Sequence, residues 1–302
     1  MRALSLLMVA TTLLGCKTIP LANEPFREAL TTVYRAFEAD DATKSASMQV
    51  LEEQLYRELD VASRAHADRS IVPDRLTEAD LGGVAPRPDR DPELAGGLAA
   101  SGLSPHPVRE HARIPLLPDQ RVVEPQSPDH YDRAWIEGEG CWATRDCLWL
   151  RTRQDLTKNY PGTQPITYAF HKDYRWVDLA PDEDEPRWAI IARSWNDDTY
   201  SSANGASTLW QAFTLELWLP RDGRGFRWID VDPADRPDDA DSRADTTPED
   251  SEGTLRVMVL WSEAQIGGIA TLLTEDQEHA TIRIGTDQTF NAQDKWLADN
   301  PR

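Results

Sequence analysis

A two-residue spacing of apolar side chains after residue 131 is the feature that most constrains the fold. It recurs in Leu148/Leu150, Ile166/Tyr168/Phe170, Trp188/Ile190, Phe213/Leu215/Leu217/Leu219, Leu255/Val257/Val259/Trp261 and Ile282/Ile284. Strand side chains point alternately to two faces, so this spacing predicts half-buried β-strands. Turn-forming pairs such as Asn204-Gly205 separate the runs. Roughly six to nine short antiparallel strands indicate a β-sandwich or barrel.

The distribution of tryptophan places the start of this β-domain near residue 131. All 11 tryptophans lie at or beyond Trp135. We therefore predict a Trp-rich antiparallel β-domain over residues 131–302, ending in a helical turn at residues 291–297 with Trp296 as its anchor.

Residues 24–67 have a helical pattern instead. Apolar residues recur every three or four positions, first in Phe26, Leu30, Val33 and Phe37, and then in Met48, Leu51, Leu55, Leu59 and Ala62. This spacing predicts one kinked helix or a helical hairpin. The stripe favours packing on its own domain, because a coiled coil with a partner would need a longer repeat.

The region between these two parts is rich in proline. Residues 73–128 hold 10 of the 21 prolines, each of which removes a backbone donor and disfavours helix in the residue before it. We therefore predict an extended, partly disordered linker over residues 68–130. His106, His111 and His130 lie in or beside it and are predicted to be solvated.

The charge of the chain excludes one class of partner. The net charge is −20, whereas nucleic-acid binding requires a basic surface, so none is expected. Ten acidic residues are concentrated in residues 230–253. Their spacing lacks the EF-hand order, which favours a solvated acidic loop over a calcium site.

The pattern of the first 16 residues predicts an export signal that ends just before Cys16. Arg2 precedes an uncharged apolar run that is shorter than the roughly 18 residues of a membrane-spanning helix. The run closes on Leu13-Leu14-Gly15-Cys16, which resembles the lipobox of bacterial lipoproteins. The resemblance implies removal of residues 1–15, acylation of Cys16 (palmitate), and a tether over residues 16–23 that holds the protein to a lipid bilayer. An ordinary secretory signal is the alternative.

The resemblance also implies a location. A lipid-anchored protein of this class resides in the cell envelope, on a periplasmic or surface face. Lys17, rather than Asp, follows Cys16 and by resemblance to enteric bacteria favours the outer membrane. In an oxidising compartment Cys141 and Cys147 are predicted to form a disulfide, because no nearby residues complete a metal site.

Two features suggest binding. Trp149, Arg151 and Arg153 share one strand face, and Arg193 and Trp195 repeat the pairing. Such groups can hold an anionic or sugar-like ligand, although Trp can equally fill the core while Arg caps strand ends. Gly140-Cys141-Trp142 resembles the Gly-x-Trp of lipocalins, which implies a barrel around a small apolar ligand. The cysteine within the motif and the long preceding region depart from that family.

No hydrolase or transferase motif is present, and no metal or cofactor is expected. The sequence lacks Gly-x-Ser-x-Gly, His-Glu-x-x-His and a Gly-rich phosphate loop. We predict a non-catalytic envelope lipoprotein whose β-domain binds an envelope protein, a wall polymer or a small ligand. The alternatives are a lipocalin-like carrier and a hydrolase of envelope material that uses paired carboxylates or His171.

Overall fold

One antiparallel sheet of nine strands organises the part of the chain that the structure describes. The computed structural model describes residues 24–59, 70–159, 164–221, 253–265 and 275–301. In chain order its main elements are α1 (Glu24–Arg35), α2 (Asp41–Leu59), β1 (Ser70–Ile71), β2 (Gly96–Ser104), α3 (Val108–His111), β3 (Tyr131–Glu137), β4 (Trp149–Lys158), β5 (Ile166–Asp178), β6 (Trp188–Asn196), β7 (Tyr200–Ser201), β8 (Thr208–Pro220), β9 (Thr254–Gln265) and α4 (Glu275–Asp299). The predicted class, mainly antiparallel β with an N-terminal helical segment, is confirmed.

The two faces of the sheet have different coverings. Its strands pair in the order β1-β2-β9-β8-β6-β5-β4-β3, and β7 pairs with β8. Phe213 and Leu215 join a core with α1 and α2, so we call this side the α1/α2 face. Thr214 and Glu216, at the alternate positions, point to the opposite side, which we call the α4 face.

The N-terminal helices bury their apolar stripe on the α1/α2 face. A 3₁₀ turn, Ala36–Glu38, joins them, so the predicted helical hairpin is the form observed. Tyr34 meets Trp261 of β9 edge-on, with 5.6 Å between ring centroids. Seven further residues of the helical segment in this core are each at most 1% exposed: Phe26, Leu30, Val33, Phe37, Met48, Leu51 and Leu55.

Ion pairs fix the helices to the sheet. Arg187, at the start of β6, donates two bonds of 2.6 Å to the Glu52 carboxylate of α2, and both side chains are 6% exposed. Arg175 of β5 donates to the Phe37 carbonyl at 2.9 Å and to Asp41 at 3.1 Å. Charges buried this deeply require their partners, because an unpaired charge has no water to solvate it.

The prediction of a partly disordered linker over residues 68–130 is wrong for its described part, residues 70–130. β2 pairs with β9 along its whole length, from Gly96 opposite Ser262 to Ser104 opposite Thr254. The sequence GGLAASGLS of β2 contains no proline and does not alternate, because Leu98, Ala99 and Ala100 are all buried. A strand covered on both faces lacks the two-residue pattern that identifies a half-exposed strand.

The prolines of this region lie outside β2, and two of them lie within short 3₁₀ helices. Pro92 opens Pro92–Leu94, and Pro115 lies within Ile114–Leu116. His111, expected to be solvated, is 2% exposed. The proline density therefore indicated turns around a strand and not a disordered spacer.

The prediction of a strand at Ile282/Ile284 is wrong, because both residues lie in α4. A single pair of apolar residues is too short a pattern to distinguish the two-residue period of a strand from the period of a helix. The helical signal is the set of buried residues at three- and four-residue spacing, namely Thr286, Phe290, Gln293 and Leu297. The helical turn predicted at residues 291–297 is the last part of α4.

Several predictions concern residues outside those described. These are the signal peptide (1–15), the tether with Cys16 (16–23), the end of the helical segment (60–67) and nearly all of the acidic loop (230–253), of which only Gly253 is described. Within the described ranges, no helix has the length and apolar character needed to cross a bilayer.

We expect Glu52→Ala to lower the free energy of unfolding by about 3 kcal/mol or more, because it leaves the buried Arg187 without its carboxylate. Glu28→Ala removes an exposed carboxylate from α1 and should change stability by less than about 0.5 kcal/mol. Urea titration of both variants is the measurement. Equal effects would contradict the structural role of the Glu52 pair.

Candidate functional site

A cavity of about 150 Å³ lies between the α4 face and helix α4. Strands β3, β4, β5, β6, β8 and β9 form its floor, α4 forms its roof, and Glu124 and Gln126 close one side. Gly102 lets the roof approach the sheet, because a Cβ there would lie 2.9 Å from Phe290 Cδ2. The described lining from α4 consists of Ile282, Gly285, Thr286, Thr289, Phe290 and Gln293.

Arg256 of β9 holds α4 in place from beneath. Its guanidinium donates to both carboxylate oxygens of Asp294 at 3.0 and 2.8 Å, and to the Phe290 carbonyl at 3.0 Å. Ser104 donates to the same carboxylate at 2.6 Å, and His111 Nε2 lies 3.0 Å from Ser104 Oγ. This serine, histidine and aspartate act as an anchor, since Asp294 is committed to Arg256.

Gln126 provides a second anchor for α4 at the other side of the cavity. Its amide nitrogen donates to the Gly285 carbonyl at 2.7 Å, and Thr289 donates to its amide oxygen at 3.1 Å. Gln126 is 5% exposed, so these bonds are protected from water. The roof of the cavity is therefore fixed at two points by side chains from outside α4.

Two ion pairs line the cavity. Lys172 of β5 lies 2.6 Å from Glu216 of β8, and Lys158 of β4 lies 2.8 Å from Glu124. Burial lowers the pKa of Lys172, but Glu216, together with Tyr174 and Tyr131, holds that pKa above its ordinary value. Burial raises the pKa of Glu124, but Lys158, together with Lys172 and Arg133, holds that pKa below its ordinary value. Both groups are therefore charged at neutral pH.

Other polar groups of the floor are also bonded. Tyr131 donates its hydroxyl hydrogen to Gln154, and burial raises the Tyr131 pKa to about 12. Ser194 and Thr214 share a hydrogen bond of 2.6 Å across β6 and β8. The apolar remainder of the lining comes chiefly from Leu156, Phe170, Met258, Leu260, Ile282 and Phe290. The cavity thus has an apolar body with a few internally paired polar groups.

The predicted disulfide is confirmed: Cys141 and Cys147 are bonded, with 5.3 Å between their Cα atoms. The bridge closes the turn between β3 and β4 and so places Gly140-Cys141-Trp142 in a turn, not in a first strand. Trp142 is fully buried and donates to the Ala112 carbonyl at 3.0 Å. This placement does not support the lipocalin resemblance.

The predicted Trp and Arg group lies mainly on the α1/α2 face. The Trp149 ring lies between two guanidinium groups, with Arg175 at 3.8 Å and Arg151 at 4.4 Å from its centroid. Arg193 is fully buried, pairs with Glu38 and lies 4.4 Å from the Phe37 ring centroid. These contacts match the alternative in which tryptophan fills the core, and none of these side chains lines the cavity.

Arg153 and Trp195 lie at the far end of the same face. Arg153 pairs with Asp197 at 3.0 Å and is 46% exposed. The Trp195 ring stacks on His171 and donates to the Pro86 carbonyl at 3.0 Å. Trp195 is the one predicted residue among those that line the cavity, and ligand binding by the other four stays a prediction.

Sequence reasoning missed Lys172 and Glu216, although a signal was present. Each occupies the same strand face as apolar neighbours, Lys172 with Phe170 and Glu216 with Trp218. A charge in phase with apolar residues is placed inside, where it needs a partner of opposite sign. The pairing itself could not be read, because the two residues lie on strands separated by β6.

The described residues contain no group of three or more His, Cys, Asp or Glu side chains arranged to hold a metal ion. The calcium alternative concerns residues 230–253, nearly all of which lie outside this part of the chain.

No protein-family model and no curated protein matches the chain. The structure is similar to that of a protein from Thermus thermophilus, with 14% identity, coverage of 68% of this chain and 99% of that chain, and a TM-score of 0.38. It is also similar to a STAR-related lipid transfer protein from Xanthomonas axonopodis (11% identity, 78% and 95% coverage, TM-score 0.39) and to Ara h 8.0201 (13%, 68% and 99%, 0.31). Likenesses this low assign no ligand or activity to the chain.

We expect the His111→Gln variant to alter the pH dependence of stability. Burial, with smaller contributions from Arg256 and His106, holds the His111 pKa well below 6.5. Below pH 6.5 the unfolded chain therefore binds a proton that the folded chain does not, so this histidine lowers stability as pH falls, by up to about 1.4 kcal/mol per pH unit.

Denaturant titrations between pH 8 and pH 5 measure this effect as the difference between the variant and the original protein. That difference should shift in favour of His111→Gln as pH falls. His130→Gln, at a ring that is 37% exposed, is the control for loss of a histidine. Parallel stability curves for His111→Gln and the original protein would contradict the assignment.

Proposed function

We propose that this chain is a lipid-anchored protein of the cell envelope whose β-domain binds a small molecule in the cavity beneath α4, without catalysis. One observation carries the proposal: the sheet and α4 together line a cavity with an apolar body and convergent polar groups. That combination is typical of small-molecule sites. At about 150 Å³ the cavity is smaller than sites for drug-sized ligands, so the ligand is a small molecule or one part of a larger one.

The state of the titratable lining groups favours binding over catalysis. A general acid or base works best with a pKa near the operating pH. The pKa of Lys172 is raised and that of Glu124 is lowered, so both move away from neutrality. Glu124 and Glu216 would be the carboxylate pair of a hydrolase, but each is bonded to its own lysine. His171 stacks on Trp195, on the α1/α2 face.

The envelope location rests on the lipobox-like Leu13-Leu14-Gly15-Cys16. The disulfide fits an oxidising compartment, where such bonds persist. Two or three acyl chains on Cys16 would anchor the protein stably, whereas one chain gives only marginal binding. Lys17 favours the outer membrane as the destination. An envelope protein or wall polymer is a second candidate partner, favoured by the partly exposed Arg151 and Arg153 side chains of β4.

We expect Cys16→Ala to release the protein from the membrane fraction and to abolish incorporation of radiolabelled palmitate. The physical reason is the loss of the thiol that carries the lipid. Thr18→Ala, two residues further on, is the matched control and should remain membrane-bound and labelled. Membrane retention and labelling of Cys16→Ala would contradict the lipid anchor.

We expect Ala212→Phe to remove small-molecule binding, because Ala212 lines the cavity and a phenyl ring there fills its space. Thermal shift and calorimetry with a panel of single-ring compounds provide the measurement. Ala134→Phe adds the same ring at an exposed position of the edge strand β3 and should bind like the original protein. Unchanged binding by Ala212→Phe would place the site elsewhere.

A further inference from the structure

Gln293 is the polar group of the cavity that the protein leaves unpaired. Its side chain lies on α4, is 6% exposed and lines the cavity. Its amide oxygen is buried and has no hydrogen-bond partner among the described residues. An unpaired buried acceptor is costly, because it has lost water and gained no replacement.

The polar neighbours of Gln293 on α4 are hydrogen-bonded within the protein, in contrast to the Gln293 amide oxygen. Thr286 donates to the Ile282 carbonyl at 3.0 Å, and Thr289 donates to Gln126 at 3.1 Å. Asp294, next to Gln293 in sequence, is bonded to Arg256. The roof therefore satisfies these groups from within the protein and leaves the Gln293 amide oxygen for another partner.

The charges around the cavity limit what that partner can be. The described lining contains two lysines and two glutamates, and each lysine is paired with a glutamate. The formal charges cancel, and neither lysine is left to neutralise an anion. A carboxylate bound here would have to break a pair at 2.6 or 2.8 Å, which leaves a buried glutamate uncompensated.

The volume of the cavity limits the size of the molecule that can bind there. A cavity of about 150 Å³ is comparable to an engineered apolar cavity in another protein that admits benzene. Phe170 and Phe290, with Met258 and Leu260, offer faces for a flat apolar body. One ring, or an aliphatic group of similar size, fills this space.

We propose that the cavity selects an uncharged molecule with a single-ring or similarly sized apolar body and a hydroxyl group that pairs with the Gln293 amide. A hydroxyl both donates and accepts, so it satisfies the amide in either orientation. The inference rests on the proposed small-molecule function and specifies its ligand class. An anionic ligand such as a fatty acid is excluded by the paired lysines.

The test compares three single-ring probes, phenol, toluene and benzoate, by isothermal titration calorimetry. The protein is the full chain with Cys16→Ala, which removes the proposed acylation site and the need for detergent. We expect phenol to bind at least tenfold more tightly than benzoate. Gln293→Met keeps the length and apolar volume of the side chain. This variant should bind phenol about tenfold more weakly than the parent protein, while its affinity for toluene should not fall.

Asn291→Leu, which likewise replaces an amide by an apolar side chain of similar size, is the matched control, because Asn291 lies on α4, is exposed and does not line the cavity. Its binding of all three probes should equal that of the parent. Circular dichroism and thermal melting establish that the variants fold. If Gln293→Met does not fold, the ranking of phenol against benzoate in the parent protein still tests the charge argument.

The outcomes separate this inference from the function on which it rests. Benzoate binding as tightly as phenol would overturn the uncharged-ligand class, and equal weakening of phenol and toluene in Gln293→Met would overturn the role of the amide. In both cases small-molecule binding itself would stand. Binding of none of the three probes would overturn both the ligand class and the proposed function.

Discussion

Burial of both faces of one antiparallel sheet is the constraint on which the rest of the structure depends. Antiparallel sheets commonly leave one side to water. Here α1 and α2 cover one side, and α4 together with a second apolar core around Trp142 covers the other. Each covering is fixed by a buried arginine. Arg187 pairs with Glu52 of α2, and Arg256 pairs with Asp294 of α4.

The two coverings differ in how tightly they pack. The α1/α2 face forms a continuous apolar core that runs from Phe26 to Trp261. On the α4 face, Phe290 contacts β2 closely at Gly102, whereas beyond it the helix and sheet leave the cavity. The Trp149 and Arg193 side chains therefore serve packing on the α1/α2 face, whereas the cavity lies on the α4 face.

The strands of the β-domain were predictable from sequence because their alternation reflects one apolar face. β2 was not predictable, since its small residues are buried on both sides, and the prolines around it obscured the strand. Part of α4 was predicted as a strand because the spacing of Ile282 and Ile284 fits a two-residue period. The disulfide was predictable because only two cysteines remained once Cys16 was assigned to lipid.

The cavity could not be predicted from sequence, because it depends on which strands lie next to each other. Lys172 and Glu216 are 44 residues apart, and Gln293 lies on a helix far from both in sequence. They line one cavity only because folding brings them together. The Arg and Trp pairs stood out in sequence because their members are close together along one strand. Their structural partners were not readable, since Arg175 and Arg193 bond to the distant turn between α1 and α2.

The most direct test of this account is a crystal structure of the protein soaked with phenol. We predict electron density for the ring between the sheet and α4, against Phe170 and Phe290, with its hydroxyl at hydrogen-bond distance from Gln293. Density beside Trp149 and Arg151 on the opposite face, with the cavity empty, would contradict the central claim.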